Sequence, residues 1–379
     1  MSKKIPFYVP SINDTELKEI KEVLALCEES KVDKLERDFA KYIGCEYALT
    51  TSSGTGALHL AMTAIDLKRG DKIICSVNAF PSVPEVVRHF DAEPIFADID
   101  PDDYNIDLDA LEDILAKNKS KKLKGAIINH VGGQPVDLDR LYDIAEKYNI
   151  LIIEDASEAM GATYEGKKIG STGADMTAFS FNPHMRSSIS NGGMLVTDNE
   201  ELNQRAELLR THAIVTDKWD RQGNLGYIYD VIDIGLKYDM SELDAAYCIA
   251  QLGKVDKLIK RRIEIANIYN EELKDVPHVS LPIVKREHNY QLYIIKIDKN
   301  RDGFARELVK RGIYVGLHYI PLHLLSYYRQ KYNLRVNDFP NALRNYQQIL
   351  SIPIHAKMTD DDVYYVCEQI KDIAKKRSW

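Results

Sequence analysis

From Phe179 to Gly193 the chain reads FSFNPHMRSSISNGG, and it contains no lysine. A strand-like end (Phe179, Ser180, Phe181) runs into a turn at Asn182-Pro183, and a polar stretch follows, closed by Gly192-Gly193. The shape suits a cofactor loop, but the amine that could tether a cofactor is missing. Other absences exclude whole classes. No apolar run approaches the roughly 18 residues a membrane span needs. The opening MSKKIPFYVP has no apolar leader core, so the cytoplasm is the expected location. The five cysteines (Cys27, Cys45, Cys75, Cys248, Cys367) are odd in number and form no C-x-x-C pair. That argues against a disulfide frame or a zinc site, and for free thiols. The net charge is −8 with both signs interspersed, so no basic stripe points to nucleic acid. The one basic run, KNKSKKLK from Lys117 to Lys124, reads as a solvated loop after a helix.

What is present is an ordinary soluble composition, 45% apolar and 28% charged. The 379 residues are enough for two to three domains and a sizeable core. Apolar runs of strand length alternate with amphipathic segments of helix length. The stretch GCEYALTTSSGTGALHLAMTAIDL reads as strand, Gly/Ser turn and helix. The runs at 72–77, 93–99, 125–131 and 150–156 read as strands, and MTAFSF and GGMLVTD follow as two more. DLDRLYDIAEKYN is a helix opened by an Asp cap. Such alternation indicates an α/β fold with a mostly parallel central sheet flanked by helices. A long charged amphipathic helix is expected around 251–275. Beyond it NYQLYIIKI (289–297), GIYVGLHY (312–319) and further helices suggest a smaller C-terminal α+β domain. The expected division is 1–252 and 253–379.

In a parallel sheet, ligands bind beyond the carboxyl ends of the strands. Four such ends carry candidate chemistry. SSGTGAL (Ser52 to Leu58) is a small-residue turn into a helix, either a plain tight turn or a phosphate cradle. Phe80 in NAFPSV is a core aromatic or a face for a planar ring. Asp155 ends the apolar run IIED, where a carboxylate needs a partner: a cationic ring nitrogen, an Arg or a helix cap. Ser180 can bond a phosphate or cap its turn. The order of the four suits pyridoxal phosphate, whose ring becomes an electron sink when an acid keeps its nitrogen protonated.

At this point the sequence resembles the DegT/StrS-type nucleotide-sugar aminotransferases, fold-type I pyridoxal-phosphate enzymes. The likeness is carried nearly end to end by IPFYVPSINDTELKEIKEVL, SSGTGALHLAM, PIFADIDPDDYNID, GGQPVDLDRL, EDASEAMGATYEGKKIGSTGADMTAFSF, GLKYDMSELDAAYCIAQL and HYIPLH. The resemblance implies a fold-type I aminotransferase architecture. It also implies that Thr55, Gly56 and Ser180 hold the phosphate, that Phe80 stacks on the ring and that Asp155 pairs with the ring nitrogen. Lys237 stands where the family usually has an Asn reaching the phosphate from the other subunit, which implies a homodimer with shared active sites. The implied substrate is a nucleotide-linked keto sugar.

The opening loop departs from that pattern. Counting back from Gly192-Gly193, the Schiff-base Lys position is Met185, and the Gly-Glu before the glycine pair is Ser190-Asn191. Met cannot form the covalent bond or move the proton that transamination requires. Glu29 and Ser30 replace a Gly-Pro, and Asp239 replaces a frequent Arg. Glu158 stands near the ring hydroxyl where relatives often have Gln or His; an ionised Glu beside a phenolate is repulsive unless one of them is protonated. Three readings follow. One is a lysine-free enzyme using non-covalent pyridoxal or pyridoxamine phosphate. The sugar dehydratases of the family work this way with His at the Lys position, and here His184 is the adjacent catalytic candidate. The others are a sugar aminotransferase with a substituted Lys position, and an inactive homologue with a binding or regulatory role.

Overall fold

Seven strands assemble in the spatial order β1-β7-β6-β5-β4-β2-β3. They are β1 (Tyr47–Thr51), β2 (Lys72–Ser76), β3 (Glu93–Ala97), β4 (Leu123–Asn129), β5 (Leu151–Asp155), β6 (Met176–Ser180) and β7 (Gly193–Thr197). The computed structural model describes residues 3–25, 29–118, 120–181, 191–215 and 229–376. Pairing is parallel from β3 through β6, and β7 alone runs antiparallel to its neighbours β6 and β1. The mostly parallel α/β sheet read from the sequence is therefore what forms.

The apolar runs form strands here because both of their faces are covered. Successive residues of β4 and β5 alternate between two clusters. Ile127 and Ile153 join one, with Ala57, Leu58 and Leu60 of the helix Gly54–Ala64. Ala126, Ile128 and Ile152 join the other, with Leu35 and Phe39 of the helix Lys31–Ile43. Side chains of a strand point alternately to opposite faces, so an unbroken apolar run is what a sheet sandwiched between helices demands.

A third cluster surrounds a small antiparallel sheet of Val279–Ser280, Tyr293–Ile297 and Ile349–Ile352. It is packed by Ile265, Tyr269 and Leu273 of one helix and Val363 and Ile370 of another, and it includes Ile5 from near the other end of the chain. Among the described residues no helix is long and apolar enough to cross a membrane.

Two local expectations change. The long helix does not start at 251: Gln251 and Leu252 end the helix Glu242–Leu252, and a new helix runs from Val255 to Leu273. The break falls at Gly253 and Lys254, and the Lys254 amine is drawn to the Ser11 carbonyl at 2.8 Å and to Glu16. GIYVGLHY forms no strand. It makes single bridges, Ile313 to Ile5 and Gly316 to Ser351, the latter on the outer edge of Ile349–Ile352. The segment instead carries Tyr319 toward the large sheet, where the Tyr319 amide donates to Asn78 Oδ1 at 3.3 Å.

Candidate active site

The carboxyl ends of β1, β2, β4, β5 and β6 converge on one cavity. Its wall includes Gly54, Thr55, Phe80, Asp155, Glu158 and Ser180, and five of these are residues the sequence singles out. Parallel pairing accounts for the convergence: Asn129 ends β4 in register with Asp155, and Asp155 lies opposite Ala178, two residues before Ser180.

The β1 turn feeds the helix Gly54–Ala64. Ser53 caps it, accepting the Gly56 amide at 3.0 Å, while the Ala57 amide bonds the Ser53 carbonyl. First-turn amides have no intrahelical acceptor, so the end of this helix presents donors and a positive dipole to the cavity. Gly54 is there because space is short: a Cβ would sit 2.6 Å from Ser180 Cβ. Gly56, expected to hold a phosphate, is buried with its amide engaged, whereas Gly54 and the exposed Thr55 line the wall.

Asp155 is buried, and its Oδ1 accepts from the Ser157 hydroxyl at 2.5 Å and the Ser157 amide at 3.1 Å. Oδ2 has no hydrogen-bond donor, and the carboxylate has no Lys or Arg partner, among the described residues. Burial raises its pKa, with the Ser157 bonds and His130 opposing. Its neighbour in sequence shows the contrast. Glu154 is also buried, but Thr177 donates to it at 2.9 Å, Tyr142 at 3.0 Å, and His130 Nε2 stands 3.6 Å away. Burial pushes Glu154 up, yet these partners hold it below the ordinary value.

Glu158 faces the same cavity. Burial pushes its pKa up to about 7; the Tyr319 hydroxyl and the Gly132 amide (2.6 Å) donate to it and oppose that rise, and the Asp155 charge adds to it. A carboxyl of this kind is substantially protonated at neutral pH, so it relieves the repulsion anticipated for an ionised Glu here. Tyr319 also packs edge-on against Phe80, with ring centroids 5.9 Å apart at 61°, leaving the Phe80 ring 36% exposed.

Lys237 does not line this cavity: its amine pairs with Asp239 at 2.7 Å, beside Tyr238, whose carbonyl accepts the Ser52 amide. His184 and Met185 lie outside the described residues. Ser30, standing in place of a Pro, serves the fold, because it caps the helix Lys31–Ile43 and bonds Glu242 at 2.9 Å. Sequence reasoning missed Asn129, His130 and Tyr319. The first two lie at the end of the strand Leu123–Asn129 and just past it, and the strand-end rule applied to Asp155 would have found them. Tyr319 is 161 residues from Glu158 in sequence, and nothing local announces the contact.

A mixed sheet of this order, a helix amide end and a strand-end Asp in one cavity define a fold-type I aminotransferase architecture. A solved structure of a proposed sugar aminotransferase, Spr1654 of Streptococcus pneumoniae in its PMP form, superposes with a TM-score of 0.92. It is 26% identical and covers 98% of this chain and 100% of its own. The chain belongs to the DegT/DnrJ/EryC1/StrS aminotransferase family, whose profile matches residues 10–371. Spore coat polysaccharide biosynthesis protein SpsC of Bacillus subtilis is 35% identical over 98% of this chain and 97% of its own. An uncharacterized protein of Methanocaldococcus jannaschii, MJ1066, is 38% identical over 98% of both.

Proposed function

We propose that the protein is a lysine-free enzyme that uses non-covalently held pyridoxamine or pyridoxal phosphate on a nucleotide-linked keto sugar, removing a sugar hydroxyl as water rather than exchanging an amino group. The observation that carries the reading is the composition of one cavity. It joins helix-end amides to a buried Asp155 carboxylate for which the described residues supply no cationic partner, and its described wall contains no lysine. The family membership and the PMP form of a relative support the cofactor class.

The residues fit such a group chemically. The amides of Gly54 and Thr55, the Thr55 hydroxyl and Ser180 would hold a phosphate. Asp155, raised by burial and lacking a cation, would hold a proton on a ring nitrogen. Phe80 would cover one ring face, and protonated Glu158 would donate to a ring oxygen instead of repelling it. When bound, the cofactor supplies an electron sink that eases bond breaking next to the sugar carbonyl. The chain's part is to orient, to exclude water and to hold protons at Asp155 and Glu158, with His184 the candidate base. Lys237 would reach the phosphate of a second subunit in a homodimer.

Equilibrium dialysis against pyridoxal and pyridoxamine phosphate tests the reading. Both should bind, and both should leave on exhaustive dialysis. Met185→Lys should make pyridoxal phosphate trappable by borohydride. A nucleotide-linked keto sugar with added pyridoxamine phosphate should lose a hydroxyl. Absence of binding by either cofactor sinks the proposal, and an inert sugar panel sinks its dehydration step.

A further inference from the structure

A second cavity borders the first, sharing Ser157 and Ser180 as wall residues. Its walls are largely apolar, with Leu35, Phe39, Phe181, Leu252, Val255 and Leu258, but they also contain Arg262. The Arg262 Nε donates to the Asn289 carbonyl at 3.1 Å. Among the described residues no carboxylate lies within ion-pair distance of this guanidinium, and its terminal nitrogens have no hydrogen-bond acceptor. The ionisable groups that face it are Tyr8, Tyr42 and His288. Burial keeps the two phenols neutral, and burial together with Arg262 itself keeps His288 neutral by pushing it down to about 3.

Arg262 is partly buried, and a cation drawn out of water without a counter-charge is expensive, so proteins pair such groups or leave them for a ligand. Here burial lowers Arg262 only to about 10, so the charge persists at neutral pH. We propose that this second cavity is an oxyanion subsite, in which Arg262 receives a carboxylate or phosphate group of a molecule whose reacting end lies in the Asp155 cavity. The guanidinium fork suits either anion. Asn289 ties the two cavities together: its carbonyl holds Arg262, and its side-chain amide donates to the Glu158 carbonyl at 3.4 Å and the Met160 carbonyl at 3.1 Å.

The proposed function supplies one such anion, the diphosphate of the nucleotide-linked sugar; the carboxylate of an amino-group donor is the anion that goes with the aminotransferase alternative instead. Calorimetry on the full chain, without cofactor, with inorganic pyrophosphate and with L-glutamate separates the two. Binding of either probe, weakened at least about tenfold by Arg262→Gln and partly restored by Arg262→Lys, is the expected result. Pyridoxal phosphate binding by dialysis should be unchanged in both variants. If Arg262→Gln does not fold, phenylglyoxal labelling of the wild-type chain read by peptide mass spectrometry serves instead, because a bound anion shields Arg262. The proposal is overturned if neither probe binds or protects, if Arg262→Gln binds both as the wild type does, or if that variant loses pyridoxal phosphate in parallel. Oxyanion binding that survives while neither cofactor binds would defeat the proposed function and leave the subsite standing.

Discussion

The two adjoining cavities are electrostatic opposites. Among the described residues, one wall holds a buried carboxylate, Asp155, without a cationic partner, and the other holds a partly buried guanidinium, Arg262, without an anionic one. Elsewhere among the described residues, fully buried charges have partners. Lys31 meets Glu19 at 2.7 Å and Glu22 at 2.6 Å, and Glu154 is held by three neighbours. The unpaired state is therefore local to the cavities, and it marks where charge is to be supplied from outside. Strained electrostatics of this sort is commoner at functional sites than in scaffolding.

The sharpest way to break the comparison is to neutralise the carboxylate. Asp155→Asn keeps the shape and the Ser157 bonding partner but cannot hold a ring proton as an anion. Affinity for pyridoxal phosphate, measured by equilibrium dialysis, should fall by roughly 100-fold, about 3 kcal/mol, the scale of removing one partner from a desolvated ion pair. The cofactor-free variant should melt no lower than the wild type, because the unpaired carboxylate is gone. Equal cofactor affinity in the two proteins would show that Asp155 faces no cation.

Glu158 gives a pH dependence that Arg262 cannot, since only the former titrates near neutrality. Its folded pKa, about 7, lies above the ordinary carboxyl value of 4.5. The folded state then binds the proton more tightly than the unfolded state. The stability from this group is complete below about pH 4.5 and is lost as pH rises through about 7, a change of at most about 3 kcal/mol. The groups around it are Asp155, Tyr319 and the Gly132 amide. Denaturant titrations of the cofactor-free protein at pH 5 and pH 8 should differ in this direction, and Glu158→Gln should flatten the difference. An unchanged slope in that variant would assign the dependence to other groups, Asp155 first among them.

Arg262→Met tests the other cavity on stability alone. Replacing an unpaired, partly buried charge with an apolar side chain of similar length is often neutral or stabilising by about 1–2 kcal/mol. The lost Asn289 bond offsets part of that gain, by about 1 kcal/mol. The ligand-free melting temperature should therefore hold or rise slightly, while stabilisation by pyrophosphate or glutamate disappears. A large drop in melting temperature would mean that Arg262 serves the fold.

Much of this was legible in the sequence because it is local. The strand-length apolar runs, the helix-start turn after Thr51 and the acid ending IIED are each read within a dozen residues. Strand-end reasoning then places Thr55, Phe80, Asp155 and Ser180 together without knowledge of strand order. The position of β7, antiparallel between β6 and β1, was not legible, because GGMLVTD has the same apolar character as its parallel neighbours. Charge compensation was equally hidden. Arg262 sits in a helix dense with Lys and Arg and reads as one more solvated base. Only the packing of that helix against Tyr8, Tyr42 and Asn289, all distant in sequence, desolvates it.

The smallest expected effect is the most specific to the link between Glu158 and the C-terminal segment. Tyr319→Phe keeps the ring, so the edge contact with Phe80 at 5.9 Å remains, and it removes only the hydroxyl that donates to Glu158. That bond lowers the Glu158 pKa against burial. Its loss should move the midpoint of the stability–pH curve above about 7 and cost about 1 kcal/mol at pH 8, where Glu158 is ionised and most needs a donor. At pH 5 protonated Glu158 needs the donor less, and the cost should shrink. A penalty equal at both pH values would show that Tyr319 acts through packing alone, and that its hydroxyl does not oppose the rise that burial and Asp155 impose on Glu158.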